Sequence, residues 1–324
     1  MPSPPRNLAT QPLRHPRAAS GHLTPLRPIP TIAQNGVQFI QIASWINLGS
    51  GTASWLWHGF STRKGGLSRV YCAEDAPGEL NLGFTAADDR EAVSRNRRLL
   101  VEAIAGSSEA ALVTLRQVHS DHVILFKASD AAASEPREGD GLITDEPGLL
   151  LGVQTADCIP VLVADSKRRV VAAFHAGWRG TVNRIVESGV DSMRREFGSQ
   201  PEDLTAAIGP GIGPCCYAVG EEVLSSFASL FSYGRELFHE VLASGSAEPA
   251  MHIDLVEANR RQLLDAGLPP HAIHRTGGCT HCMSDLFFSH RASKGNAGRM
   301  MAVIGIRSAV GEDYSTKRKR IDLL

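Results

Sequence analysis

Apolar residues along the chain fall into two patterns, short continuous runs and longer segments with a helical period. Runs that are rich in β-branched and aromatic residues predict strands. We place these strands at 37–44, 54–62, 112–119, 122–127, 148–155, 159–165, 169–175, 273–277 and 300–306. The runs at 148–155, 159–165 and 169–175 are apolar almost throughout, which is typical of strands covered on both faces.

Four other segments repeat apolar residues every three to four positions, which predicts helices. We place these helices at 88–105, 181–198, 219–232 and 254–267. In the segment 181–198, Thr181 is the predicted N-cap and Gly198 the predicted end. Strands and helices do not alternate as regular βαβ units. The pattern therefore favours an α+β or layered α/β fold in one domain.

The two ends of the chain differ from its middle. Residues 1–36 are rich in Pro and Arg and contain no Asp or Glu, which predicts a disordered extension. This start has no apolar core of a secretory signal, and its prolines prevent the long amphipathic helix of an organellar transit peptide. We expect the folded catalytic domain to span 37–310 and the basic tail 311–324 to be solvated.

Composition and charge narrow the classes of function. The chain is 43% hydrophobic and 21% charged with a formal net charge of -1, so no overall charge draws it to nucleic acid or a membrane surface. No apolar stretch is long enough to span a bilayer. Six cysteines are too few for a disulfide scaffold in a chain of 324 residues. We expect reduced thiols or metal ligands, and a cytoplasmic location.

Three of the apolar runs lead to residues that bind soft metals, namely His119, Cys158 and His175. Two imidazoles and one thiolate are a typical set for an open zinc site, which keeps its fourth position for water or substrate. The same atoms also suit nucleophilic catalysis, with Cys158 as thiolate, His175 as base, and Asp157 or Gln117 orienting that base. Because the residues are far apart in the sequence, spacing does not decide between the two interpretations.

Several further polar residues lie on glycine-rich turns. Arg63 in "STRKGG" and Arg179 in "HAGWRG" are of the type that holds a phosphate by two parallel hydrogen bonds. The segment "AAIGPGIGPCCYAVG" (206–220) predicts a strand that enters a Gly/Pro loop without the lysine of a P-loop. Cys279, His281 and Cys282 form a compact cluster, but no second cysteine pair follows at zinc-ribbon spacing.

Together these motifs resemble one known family. The segments are "HGFSTRKGG", "LNLGF", "RQVHSDHV", "DGLITDEPGLLLGVQTADCIPVLVAD", "VAAFHAGWRGTV", "AIGPGIGPCCYAVG" and "DLFFSHRA…GRMMAVIGI", and they cover about residues 55–306. They are similar to the YfiH-like laccase-domain family. Its members are also called multicopper polyphenol oxidoreductases, bacterial purine nucleoside phosphorylases or peptidoglycan editing factors.

The resemblance implies a fold, a metal and an activity. The implied fold is the layered α/β/β/α sandwich that the family shares with deamidating CNF-type toxins, and the implied zinc ligands are His119, Cys158 and His175. The implied activities are phosphorolysis of adenosine, inosine, guanosine and methylthioadenosine, and deamination of adenosine. The implied partners are therefore purine nucleosides and phosphate. Plausible contacts to these substrates are Arg63, Asn81, Gln117, Arg179 and Arg291.

Our leading hypothesis is therefore a zinc-dependent purine nucleoside phosphorylase with adenosine deaminase activity. We expect Cys158, His175 and Asp157 to take part in catalysis, and the protein to be a monomer or a weak homodimer. One alternative is a cysteine hydrolase that edits a peptidoglycan precursor. Another is a copper-dependent polyphenol oxidase, which the residues fit less well because the chain contains no His-x-His pair. A third is a zinc-stabilised binding protein without catalysis.

Overall fold

The computed structural model describes residues 27–46, 55–107, 110–127, 129–130, 137–242 and 248–308. The basic tail 311–324 and residues 1–26 of the predicted extension lie outside this part. The strands are β1 Thr31–Ile32, β2 Gln38–Ile40, β3 Leu56–Ser61, β4 Lys64–Ser68, β5 Ala111–Thr114, β6 Val123–Leu125, β7 Gly141–Thr144, β8 Leu149–Thr155, β9 Ile159–Asp165, β10 Val170–Ala176, β11 Leu204–Ile208, β12 Phe238–Val241, β13 Ala250–Ile253, β14 Ile273–Arg275 and β15 Met300–Ile306. The helices are α1 Ala43–Ile46, α2 Arg90–Ala105, α3 Trp178–Val182, α4 Ile185–Phe197, α5 Glu221–Leu230 and α6 Leu255–Asp265.

Two six-stranded sheets form the centre of the domain. Their strand orders are β1-β2-β3-β15-β8-β5 and β14-β11-β9-β10-β7-β6. Because successive side chains of a strand point to opposite faces, each central strand contributes to two layers of core. Leu151 of β8 and Ala173 of β10 share the core between the sheets. Leu150 faces the α2 side and Phe174 faces the α4 side. The α/β/β/α layering implied by the resemblance is confirmed.

The helix α4 packs closely on the second sheet because of a glycine. A Cβ placed on Gly189 would lie 2.2 Å from Cζ of Phe174, so only glycine lets that ring approach the helix. The helix ends at Gly198, which has a φ of 69°, as the sequence predicts. Among the described residues, no helix is long and apolar enough to cross a membrane.

The helix predicted over 181–198 is wrong at its start. The structure has two helices there, α3 and α4, and Arg184 between them has a φ of 64°. Thr181 lies inside α3 and is not a cap, and its hydroxyl accepts a hydrogen bond from Asn259. Burial of both short helices against the core outweighs the local preference for one continuous helix.

Other boundaries also move. The strand predicted over 112–119 ends at Thr114, and the chain then continues as a loop through His119. Strand β1 lies before residue 37, where we predicted the domain to begin, and it pairs with β2. Strand β4 was not predicted, since its sequence "KGGLS" has the composition of a turn.

Candidate metal centre

The structure brings His119, Cys158 and His175 together. Their ligand atoms all lie within 4.8 Å of one another. The two imidazole rings have centroids 4.9 Å apart and cross at 77°. His175 lies within β10, opposite Pro160 of β9, so the antiparallel pairing places it close to Cys158 just before that strand. His119 approaches from the loop after β5.

A buried carboxylate holds both histidines. Asp140, directly before β7, accepts hydrogen bonds from the backbone N–H groups of Val118, His119 and Ser120 at 3.2, 3.1 and 2.6 Å. It also accepts the Ser120 hydroxyl at 2.8 Å, and its Oδ1 lies 2.8 Å from Nδ1 of His175. These bonds keep His119 in the left-handed region, at a φ of 61°. One side chain thus fixes the loop and the strand that carry the two imidazoles.

This arrangement corrects the predicted partner of His175. We expected Asp157 or Gln117 to orient that imidazole, whereas the structure uses Asp140. Because Nδ1 faces the carboxylate, Nε2 is the ring nitrogen left for a metal, as is usual for zinc-bound histidines. The available signal was the polar pair "GD" immediately before the apolar strand "GLIT".

Electrostatics favour a thiolate at the centre. Burial acts to raise the pKa of Cys158, but the charges and hydrogen bonds of His175 and His119 outweigh it and lower the pKa to about 6. Burial acts to lower the pKa of His175, but Cys158 and Asp140 outweigh it and raise the pKa to about 9. A thiolate is the ionisation state that binds metals.

A glycine allows the backbone to approach two of the three candidate ligands closely. A Cβ on Gly177 would lie 3.0 Å from Sγ of Cys158 and 3.0 Å from Cδ2 of His119. His175 is buried, whereas Cys158 is half-buried and His119 is exposed, so the centre has an open side. Three protein ligands with an open side fit a catalytic zinc ion. Two histidines and one cysteine also occur as ligands of copper.

Asp157 and Gln117 lie close to residues of this centre in the sequence, and their side chains form hydrogen bonds with the segments around it. Asp157 has a φ of 98°, and its two carboxylate oxygens accept bonds from Oγ1 of Thr280 at 2.6 Å and N of Arg291 at 2.7 Å. Gln117 pairs with both backbone groups of Gln154, at 2.8 and 2.7 Å. Its amide thereby ties the loop of His119 to the end of β8.

Arg63 and Asn81 are engaged by protein groups. The Arg63 guanidinium binds the Glu79 carboxylate at 2.5 Å and the carbonyls of Ser284 and Tyr71 at 2.6 and 3.0 Å. Asn81 is fully buried. It binds the backbone of Gly83 and accepts from N of Arg299. Both residues therefore shape the loops of "STRKGG" and "LNLGF".

Arg179 and Arg291 are exposed and remain near the centre. The Arg179 guanidinium lies 4.4 Å from the centroid of Trp178, and the Arg291 guanidinium lies 5.2 Å from that of Tyr217. Trp178 is half-buried and packs against the core of the second sheet, in agreement with a packing role.

Sequence reasoning did not single out Tyr217, which the structure places beside the centre. Burial and the negative charge of Cys158 raise the pKa of its hydroxyl to about 12, while Arg291 and Arg179 act in the opposite direction. The Cys158 thiolate and the two exposed arginines therefore shift the pKa of Tyr217 in opposite directions. The only sequence signal was an aromatic residue in the Gly/Pro loop "GPCCYAVG".

Comparison with known families identifies the family to which this chain belongs. The family model described as multi-copper polyphenol oxidoreductase laccase matches residues 57–307. The chain belongs to this family. All three residues of the candidate centre lie within the matched region.

Individual relatives are enzymes by name. The chain is 37% identical over 269 residues to the purine nucleoside phosphorylase YlmD of Geobacillus stearothermophilus, covering 81% of this chain and 94% of the relative. The crystal structure of that YlmD matches with a TM-score of 0.71 and 34% identity, covering 87% of this chain and 100% of the other.

Two further relatives extend the comparison. The adenosine deaminase RL5 of an unknown prokaryotic organism is 37% identical over 246 residues, which cover 74% of this chain and 90% of the relative. The crystal structure of the hypothetical protein YfiH of Bacillus licheniformis matches with a TM-score of 0.72 and 32% identity, covering 84% of this chain and 96% of the other.

Proposed function

We propose that this protein is a purine nucleoside phosphorylase that also deaminates adenosine, with zinc held by His119, Cys158 and His175. The observation that carries the proposal is the convergence of one thiol and two imidazoles within 4.8 Å. The relatives named as purine nucleoside phosphorylase and adenosine deaminase support it. We propose adenosine, inosine, guanosine and methylthioadenosine as nucleosides, with phosphate as co-substrate, and a monomer or weak homodimer as the working form.

The residues around the centre have distinct parts in this function. When bound, zinc supplies Lewis-acid chemistry at the position that the protein ligands leave open. Asp140 keeps His175 in one orientation and one tautomer. The exposed guanidinium groups of Arg179 and Arg291 offer paired N–H donors to phosphate. Tyr217 stays protonated at neutral pH and can donate a hydrogen bond to a substrate oxygen or nitrogen.

The test combines metal analysis with two assays. Protein with zinc bound should convert inosine and phosphate to hypoxanthine and ribose 1-phosphate, and adenosine to inosine. His175→Ala should lose zinc from this centre and both activities, whereas His122→Ala, at an exposed histidine of the same region, should keep them. Absence of both reactions from protein with full zinc occupancy would refute the proposal.

A cysteine hydrolase is a second candidate because of one observation. Cys158, His175 and Asp140 form a thiol–imidazole–carboxylate series in which Asp140 orients the base. Such an enzyme acts on a peptidoglycan precursor through the Cys158 thiolate and needs no metal. Its activity should survive complete chelation and disappear in Cys158→Ser. Restoration of turnover by zinc after chelation would decide against it.

Copper in the same ligands would point to polyphenol oxidation instead. This candidate follows from the two-histidine, one-cysteine set, which copper also accepts. Copper found by elemental analysis, with oxygen consumption on a diphenol, would favour it over the zinc enzyme.

The six free cysteines are consistent with our proposal that the protein works in a reducing compartment.

A further inference from the structure

A second cluster of metal-binding side chains lies outside the candidate centre. It consists of Cys215 and Cys216 in the loop after β11, and Cys279 and Cys282 after β14. The four sulfur atoms all lie within 4.8 Å of one another. Sγ of Cys282 is 3.5 Å from that of Cys215 and 3.3 Å from that of Cys216. Cys215 and Cys216 are therefore the second cysteine pair that does not follow "CTHC" in the sequence.

The spacing matches a single tetrahedral ion. Zn–S bonds of about 2.3 Å at tetrahedral angles separate the sulfur atoms by about 3.8 Å. A disulfide requires about 2.05 Å, whereas Sγ of Cys282 lies 3.3 Å from that of Cys216 and 3.5 Å from that of Cys215. An iron–sulfur cluster would place several iron and sulfide atoms between the thiolates and spread them further apart. The separations of the four sulfur atoms therefore fit one ion that all four bind.

The surroundings of the cluster stabilise thiolates. Cys279 is 1% exposed, and its Sγ accepts a hydrogen bond from N of Gly213 at 3.2 Å. A Cβ on Gly213 would lie 3.3 Å from Cβ of Cys279 and 3.4 Å from Sγ of Cys215, so the loop approaches the sulfurs closely. Four thiolates repel one another strongly in a partly buried site, and a divalent cation removes that repulsion.

We infer that Cys215, Cys216, Cys279 and Cys282 bind a structural Zn²⁺ ion. All four ligands come from protein, which is typical of a structural zinc and leaves no position for a substrate. The ion joins two segments that are distant in the sequence, the loop 209–220 and the segment 277–298.

These two segments also build the wall of the candidate centre. Tyr217 follows Cys216 directly, and Thr280 follows Cys279 and binds the Asp157 carboxylate. Thr280 also donates its N–H to the carbonyl of Gly211 at 3.0 Å. The Zn²⁺ ion therefore fixes the position of Tyr217 and of the support for Cys158, without contacting the substrate. The inference does not depend on which reaction the centre performs.

The test counts zinc ions and their sulfur ligands in the full-length protein. Wild type should hold one zinc ion at the four cysteines, and a second where the candidate centre binds zinc as proposed above. Cys216→Ser with Cys282→Ser should lose the ion at the cysteines, and His175→Ala should keep it. Cys72→Ser is the matched control, because Cys72 lies outside both clusters, and it should retain the zinc content of the wild type. Thermal melting should show that the Cys216/Cys282 variant is less stable than the Cys72→Ser control, because a bound metal adds to folding stability.

X-ray absorption at the zinc edge gives a readout that does not require the cysteine variant to fold. In His175→Ala the remaining zinc should have four sulfur neighbours at about 2.3 Å. One or two sulfur neighbours there, or a single zinc in wild type that disappears with His175→Ala, would overturn the inference. Iron with acid-labile sulfide, copper at this site, or a mass that shows disulfides in freshly prepared protein would overturn it as well.

Discussion

Replacing Asp140 with asparagine removes the negative charge from the group that holds both histidines while it keeps the size of the side chain. Asp140 accepts bonds from three backbone N–H groups, one hydroxyl and Nδ1 of His175. Asparagine has one oxygen acceptor, and its NH₂ group would face donors. The loss of two of these charge-assisted bonds, at about 1.5–3 kcal/mol each, predicts a decrease of roughly 3–6 kcal/mol in the free energy of unfolding.

The effect on zinc follows from the same contacts. Loss of a carboxylate partner behind a ligating histidine typically weakens metal binding by about 10–100-fold. The loop of His119 also loses its anchor, so we expect the upper part of that range. Zinc affinity can be measured by competition with a chromophoric chelator, and the free energy of unfolding by urea denaturation of the metal-free protein.

Asp157→Asn is the matched control. This carboxylate also lies beside the centre, but its partners are Thr280 and Arg291 and not a histidine. Asparagine can still accept one of these bonds and donate to the threonine hydroxyl, so zinc affinity should change by less than about threefold. Equal zinc affinity in Asp140→Asn and Asp157→Asn would refute our assignment of the orienting carboxylate.

Three further predictions test other parts of the structure. Gly177→Ala should lower zinc affinity at least about tenfold, because its Cβ would lie 3.0 Å from Cys158 and His119. Arg179→Ala should raise the KM for phosphate about tenfold or more, since a charge-assisted bond is lost. Burial lowers the pKa of His58 to about 4. The unfolded histidine binds protons from pH 6.5 downward, so stability falls between pH 6.5 and 4, by about 3 kcal/mol for this residue. His58→Gln should lack that decrease.

Each of these variants has a control in the same protein. Gly220→Ala has no atom within 4 Å of its new Cβ and should leave zinc affinity unchanged. Arg194→Ala, on the exposed side of α4, should leave the KM for phosphate unchanged. His271→Gln, at an exposed histidine, should keep the pH dependence of the wild type. An effect of the control equal to that of its partner would contradict the corresponding prediction.

Local signals in the sequence were strongest where burial is continuous. Strand β9 matches its prediction over 159–165, and β15 matches over 300–306, because short uninterrupted apolar runs rich in β-branched residues are typical of strands covered on both faces. The capped helix α2 falls within its predicted range for a similar reason, since Asp89 and Gly106 mark its ends. The break between α3 and α4 at Arg184 and the early end of β5 depend on tertiary packing. Local sequence patterns carry no information about that packing.

The sequence by itself determined the layered α/β class, the family, and the three residues of the candidate centre, because residue type and motif order carry that information. Only the tertiary structure decided which groups touch. It placed the carboxylate of Asp140, rather than Asp157 or Gln117, 2.8 Å from Nδ1 of His175. It also brought Tyr217 close enough to Cys158 for the charge of the thiolate to raise the pKa of the tyrosine. It also joined two cysteine pairs into one cluster. The physical reason is that hydrogen bonds and metal ligation require contact distances of a few ångströms, and the pairing of distant strands and loops sets those distances.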